Sequence, residues 1–372
     1  MISNGWKEVT LNDIAYLNYG KSLIADKRKK GSIPVYSSSG ITGQHDKALV
    51  NEEGIIIGRK GNVGSVFYSN RPFYCIDTAY YIKKSEITCD IKYLYYLLKT
   101  LRLDRLNEDS AVPGLNRDTA HTQTFFYPES IETQRRIADI LSALDDKIEL
   151  NRQTNATLED IAQAIFKEWF VDFNFPGATG ELVESELGMI PKGWRVGKLE
   201  EIITNYDRKR VPLSSREREN RKGIFPYYGA ASILDYVDDY LFDGVYLLMG
   251  EDGTVITEDG RPILQYVSGK FWVNNHTHVL QGKKPFSTEY VLLQLKNTSV
   301  KHIVTGAVQP KINQGNMNEL PVVIPGQFTL LSFQEIINPI FKDILVNEQE
   351  TSTLAKIRDA LLPKLMNGEI EV

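Results

Sequence analysis

The chain has only two cysteines, Cys75 and Cys89, in 372 residues. A disulfide framework and a four-cysteine zinc site are therefore excluded. No run of about 18 apolar residues is present, so no membrane-spanning helix is expected. The opening MISNGWKEVT has no apolar signal segment, and the chain is expected to stay in the cytoplasm. Histidines are also few: His45, His121, His276, His278 and His302. His276 and His278 are two apart and would share one face of a strand. No further ligand stands near them in sequence, and no metal is expected.

What is present is ordinary globular material, with 42% hydrophobic and 24% charged residues over a length that suits two or three units. The net charge of −5 argues at first against a nucleic-acid partner. Its distribution changes that reading: +3 over residues 1–130, −4 over 131–180, −1 over 181–328 and −3 over 329–372. The acid lies in two short segments, and binding depends on local field rather than on the whole-chain charge.

Two halves of the sequence align at an offset of roughly 190–200 residues, too long a period for a solenoid unit. Gly5-Trp6-Lys7 answers Gly193-Trp194-Arg195, and Ile33-Pro34-Val35-Tyr36 answers Phe225-Pro226-Tyr227-Tyr228. Gly54–Gly61 answers Gly244–Gly253, Ala111-Val112 before Asn116 answers Ala307-Val308 before Asn313, and Asn151 and Leu158 answer Asn347 and Leu354. Each match is weak, but their shared order is not. Each half opens with a segment rich in glycine, aromatic and β-branched residues. Runs such as Gly54–Gly58 and Phe73–Ile82 read as strands, and Ile91–Leu103 and Thr288–Lys296 as short helices.

Each half closes with a long helical stretch. Ser130 caps the first, whose apolar stripe runs Ile137, Ile140, Leu141, Leu144, Ile148, then Leu158, Ile161, Ile165 and Trp169 after a polar patch at 151–155. The second carries a capping-box pattern from Ser332 to Glu335, an apolar stripe from Ile336 to Ile344, a polar patch at 347–352, and Leu354, Ile357 and Leu361. Pro339 predicts a kink or a late start. The simplest partner for each stripe is the other, as an intramolecular antiparallel coiled coil whose polar patches meet and set register. The alternative is that each helix packs on its own globular segment. The fold class is thus α+β: two similar globular domains separated by two long helices.

Chemical motifs are scarce. The Asp/Asn-Pro-Pro-aromatic motif and glycine-rich cofactor loop of an amino methyltransferase are missing; Asn338-Pro339-Ile340 is the nearest approach. Ala15–Ser22 loosely resembles a phosphate loop, but it has one glycine and leads into a charged run rather than an apolar helix. The acidic pairs Glu251-Asp252 and Glu258-Asp259 read as turns, not as a nuclease centre.

Residues 141–173, LSALDDKIELNRQTNATLEDIAQAIFKEWFVDF, resemble the central conserved region of Type I restriction–modification specificity subunits. IRDALLPKLMNGEI at 357–370 resembles their distal conserved region, and GMIPKGW at 188–194 the entry to their second target-recognition domain. The resemblance implies a target-recognition domain at 1–130, a central conserved helix at 131–180, a second recognition domain at 181–328 and a C-terminal conserved helix at 329–372. It implies a non-catalytic reader of a split, asymmetric site in double-stranded DNA, with the helices as ruler and platform. Its partners would be two methyltransferase subunits and two restriction subunits. S-adenosylmethionine, ATP and Mg would belong to those partners, leaving this chain no cofactor. The rival readings are an orphan DNA-binding or structural spacer protein, and an enzyme with an unrecognised site.

On that footing the candidate DNA contacts in the first domain are Lys21, Arg28, Lys29, Lys30, Arg59, Lys60, Asn62 and Arg117. In the second they are Arg208, Lys209, Arg210, Arg221, Lys222, Glu251, Asn275, His276, Gln309 and Lys311. Lys and Arg supply phosphate contacts. Arg59, in the turn Gly58–Gly64, has the shape to meet a guanine edge, and Glu251 could accept from cytosine. Any one charged run can equally be a solvated loop. Phe166, Trp169, Phe170, Leu362 and Leu365 are candidates for a partner-binding patch, with packing into a core as the alternative.

Overall fold

The computed structural model describes residues 5–106, 114–306 and 308–372. The Ala111-Val112 and Ala307 positions of the repeat fall outside them. The chain forms two compact units: residues 1–150 with 350–372, and residues 151–349. The two long helices, Ile131–Phe170 and Gln327–Met366, each contribute to both. Each unit is a globular domain plus part of both helices.

In the first unit an antiparallel sheet runs in the order Asn18–Tyr19, Ala79–Lys83, Gly54–Gly58, Val66–Ser69. A second sheet joins Gly40–His45, Ile33–Ser37 and Tyr74–Cys75. Trp6–Thr10 pairs with Thr124–Pro128. Strand Gly54–Gly58 is buried throughout. Side chains alternate across a strand, so Ile55 and Ile57 enter the main core with Leu94 and Leu97, while Ile56 enters a smaller one with Tyr36 and Phe73. Helix Ile91–Thr100 starts where Asp90 accepts from the Lys92 and Tyr93 amides. The apolar run Phe73–Ile82 is not one strand. It is two, in different sheets, because the chain turns between them, with Ile76 N donating to Tyr36 O and Ala79 N to Ile76 O.

The second unit repeats this plan. Ile203–Asn205, Thr277–Gly282, Tyr246–Gly250 and Leu264–Val267 form the first sheet in the same order. The second joins Ile233–Val237, Lys222–Tyr228, Lys270–Val273 and Phe242–Asp243. Arg195–Lys198 pairs with Pro321–Ile324. Leu247 and Met249 face the main core and Leu248 the smaller one, as the three isoleucines do in the first unit. The repeat seen in sequence is thus a repeat of topology and burial.

Within each unit the two long helices pack antiparallel. In the first, Arg358 Nη1 donates to Asp145 Oδ1 at 2.6 Å and Lys147 Nζ lies 3.1 Å from Glu350. In the second, Asn347 Nδ2 donates to Asn155 Oδ1 at 2.8 Å and Asn155 Nδ2 to Ile344 O at 3.1 Å. Both expected packings occur together. Ile137, Ala138 and Leu141 share the first domain's core with Leu365 and Met366. Ala162, Phe166 and Trp169 share the second's with Phe333 and Ile337. Ser130 caps the first helix, accepting from Thr133 N at 3.3 Å. The second helix begins earlier than its capping-box pattern, at Gln327, so Ser332 is interior. Pro339 does not end it. Pro339 and Glu335, whose carbonyl Pro339 cannot serve, are both exposed.

Candidate nucleic-acid interface

The turn after strand Gly54–Gly58 is tightly built. Gly58 N donates to Ser65 O at 2.7 Å and Gly64 N to Gly58 O at 2.9 Å. A Cβ at Gly58 would lie 2.0 Å from Asn62 O, and Gly64 has φ +75° with the Asp104 backbone 2.3 Å from its missing Cβ. Both positions require glycine. The turn projects Arg59, Lys60 and Asn62. Asn62 Nδ2 donates to Ser39 Oγ at 3.2 Å, at the tip of the Ile33–His45 hairpin.

Arg59 lies over two tyrosines, its Cζ 5.0 Å from the centre of Tyr19 and 5.8 Å from that of Tyr80. Arg117 lies over Tyr16 and the same Tyr19, at 5.2 and 5.1 Å. One exposed tyrosine ring therefore carries two guanidiniums. Arg59 donates from Nη1 to Asp77 O at 3.3 Å and lies beside the Tyr80 hydroxyl, and Arg117 Nε stands 3.6 Å from Asp118. Lys21, Lys29, Lys30 and Lys60 are exposed. Arg28 is committed to the fold, donating from Nη1 to Thr42 O at 2.5 Å.

The backbone places Glu251 where Arg59 stands. Leu115 N donates to Arg59 O at 2.8 Å and Ile312 N to Glu251 O at 2.9 Å. Tyr80, opposite Ile57, donates to Leu115 O at 2.9 Å; His278, opposite Met249, meets Ile312 O through Nε2 at 2.8 Å. Beneath the turn the chemistry differs. Arg210 Nη1 donates to Glu251 Oε2 at 2.7 Å and to Thr277 O at 2.8 Å. His278 Nδ1 lies 2.6 Å from Asp207 Oδ2. Both ring nitrogens of His278 face oxygen acceptors, so two hydrogen bonds need a proton on each. Burial works to raise the Asp207 pKa, but the His278 hydrogen bond and charge, with Val279 N, hold it below the ordinary carboxylate value.

Several expectations are corrected here. Arg210 and Glu251 are not free contacts: both side chains are 14% exposed and bound to each other. Arg221 pairs with Asp238 at 2.9 Å over the Trp272 ring, and Lys222 with Asp235 at 2.7 Å, so each of these cations has an acidic neighbour at the surface. His276 and His278 do not share a face. The strand begins at Thr277, which leaves His276 exposed beside Asp252 at 3.5 Å while His278 is buried. Lys311 reaches Asp252 at 3.1 Å. Arg208, Lys209, Asn275 and Gln309 are exposed, Lys209 over Tyr206. Phe166, Trp169, Phe170 and Leu365 are core residues, 1–8% exposed, and Leu362 is half-buried. The aromatic run forms no surface patch, because it packs with Tyr290 and Phe333.

Sequence reading missed Tyr16, Tyr19, Tyr80, Asp207 and His278 as parts of these clusters. Asp207 and Arg210 are three apart, which is a weak local signal; the tyrosines gave none.

The family model for the Type I restriction modification DNA specificity domain matches residues 3–160 and 191–357, one match in each half. The chain belongs to the Type I restriction–modification DNA specificity family. It is 32% identical over 303 residues to the Type I restriction enzyme MjaIX specificity subunit of Methanocaldococcus jannaschii, covering 76% of this chain and 69% of that one. To the HindI specificity subunit of Haemophilus influenzae it is 23% identical over 98% of this chain and 99% of the other. The crystal structure of an S subunit of the Type-I system from M. genitalium shares the fold, with a TM-score of 0.61 at 18% identity over 98% of this chain and 96% of that one. The function of this specificity subunit is DNA sequence recognition. Among the described residues no helix is long and apolar enough to cross a membrane.

Proposed function

We propose that this specificity subunit reads a split, asymmetric site in double-stranded DNA, one half with each globular domain. It performs no chemistry of its own. Two methyltransferase subunits and two restriction subunits assemble on it and bring S-adenosylmethionine, ATP and Mg. The observation that carries this reading is one fold built twice, with opposite side-chain chemistry at one equivalent turn: Arg59 on tyrosines in the first domain, Glu251 beneath Arg210 in the second. Equal scaffolds with unequal surfaces suit two unequal half-sites.

The reactive-looking groups are committed elsewhere, which supports a non-catalytic role. Among the described residues, the one group of three His, Cys, Asp or Glu with mutually close ligand atoms is Asp207, Glu251 and His278. Its oxygens and nitrogens are taken up by one another, by Arg210 and by the backbone. Burial pushes the Cys75 and Cys89 thiols up to about 12, so neither is a thiolate at neutral pH.

The test is co-expression with the methyltransferase subunit and genome-wide single-molecule mapping of N6-methyladenine. A split motif that depends on this gene supports the reading. An assembled complex with no such motif points instead to an orphan DNA-binding or structural protein. Exchanging residues 1–130 for another member's first domain is expected to change one half-site; a change in both would overturn the assignment. Methyl transfer by the purified chain alone would sink the non-catalytic role.

A further inference from the structure

We infer that Arg59 and Arg117, both held on the Tyr19 ring, form a paired guanidinium reader that selects guanine in the half-site of the first domain. The inference rests on the function proposed above and names the chemistry of one half of it.

Three observations lead there. First, half of the candidate arginines are already spent. Arg28, Arg210 and Arg221 each spend guanidinium donors at 2.5–2.9 Å on the protein. Arg59 has a contact to Asp77 O at 3.3 Å and the Tyr80 hydroxyl beside it, and Arg117 a carboxylate at 3.6 Å; Arg208 is exposed but belongs to the second domain. Second, stacking engages the face of a guanidinium and leaves its terminal Nη donors along the edge, although Arg117 Nε is itself buried beside Asp118. That edge matches the two adjacent acceptors of guanine, N7 and O6, in the major groove. A lysine contacts phosphate without such alignment, and the exposed Lys29, Lys30 and Lys60 are available for it. Third, the pair is anchored on rigid elements. Arg59 follows the fully buried strand Gly54–Gly58, and Arg117 opens a helix whose cap, Asn116, accepts from the Asp118 and Thr119 amides. Base readout requires such positioning. Tyr19 itself pairs with Tyr80, whose hydroxyl is fixed to Leu115 O at 2.9 Å.

The second domain cannot use the same device. At the equivalent turn Glu251 is neutralised by Arg210, so the two half-sites are read by different groups on equivalent backbones.

The experiment uses the full chain assembled with its methyltransferase subunits. Methylation motifs are mapped for wild type, Arg59→Lys, Arg59→Ala, Arg117→Ala, Tyr19→Phe and Tyr19→Ala. Exchange of residues 1–130 first identifies which half-site belongs to this domain. The expected result is a fixed guanine in that half-site. Arg59→Lys keeps the charge but loses the planar fork, and discrimination at that position is expected to fall about ten- to a hundredfold. The other half-site should stay unchanged, which also shows that the variant complex is folded. Tyr19→Phe keeps the ring and should keep the guanine; Tyr19→Ala should lose it. A half-site without a fixed guanine overturns the inference, as does a guanine that survives both Arg59 variants. Uniformly weaker binding with the motif intact, and a shallower salt dependence, would make Arg59 a phosphate contact and also overturn it. In all these cases the wild-type split motif stands. Its absence from an assembled wild-type complex would defeat the broader reading, and this one with it.

Discussion

The Arg210 guanidinium sits 2.7 Å from the Glu251 carboxylate, and each side chain is only 14% exposed. The pair is part of a network with Asp207 and His278. Removing one member of such a group leaves an uncompensated buried charge. Arg210→Ala is expected to destabilise the second unit by about 3–5 kcal/mol, measured by chemical denaturation. If Glu251 read a base instead, Glu251→Gln would relax one position of a half-site at little loss of stability, and mapping of the motif would show it.

Asn155 and Asn347 face each other inside the second unit's helix pair at 2.8 Å. Asn347→Leu leaves Asn155 without that donor, at an expected loss of about 1–3 kcal/mol. Replacing both by leucine should recover much of it, because an apolar pair has no polar atom to satisfy. Full recovery of stability, with relaxed helix pairing by cysteine cross-linking, is the outcome if the asparagines serve register. Additive losses in the double variant would argue that the two do not interact.

His121 gives the first unit a pH dependence. Its Nε2 accepts from Leu17 N at 3.1 Å, which needs the neutral ring. Burial, and then Arg117, hold its pKa below the ordinary value of 6.5, with Asp118 opposing. The unfolded chain therefore binds this proton more readily than the folded one. Its contribution is fully present above pH 6.5 and is lost as pH falls from there toward the lowered folded pKa. Thermal melts from about pH 7.5 to 5.5 should show falling stability, and His121→Gln should flatten that slope.

Lys29 and Lys30 are exposed in the first domain. Changing both to alanine should weaken DNA binding of the assembled complex for all sequences alike. The slope of log K against log salt should become shallower by about 0.9 for each phosphate that the variant no longer neutralises. An altered methylation motif would instead show that these lysines touch bases.

Much of the architecture was legible from residues 1–372 alone. Collinear matches such as Trp6 with Trp194 expose a duplication, and apolar spacing of three and four exposes the long helices. These are local or periodic signals, written into the chain by the geometry of strand and helix. The core-facing strand Gly54–Gly58 was readable for the same reason. Partnership was not. Whether Arg59 rests on Tyr19 while Arg210 is locked by Glu251 depends on residues 40 or more positions away. A sequence displays charge but not the acceptor that consumes it. The aromatic run Phe166–Phe170 read as either a partner-binding patch or a core segment, and its packing on Tyr290 and Phe333 decides for the core. Likewise, a one-residue difference in where a strand begins decided that His278 is buried and His276 exposed. Pattern fixes which elements form, because it acts over a few residues. Packing across the folded chain decides which side chains remain available to a ligand.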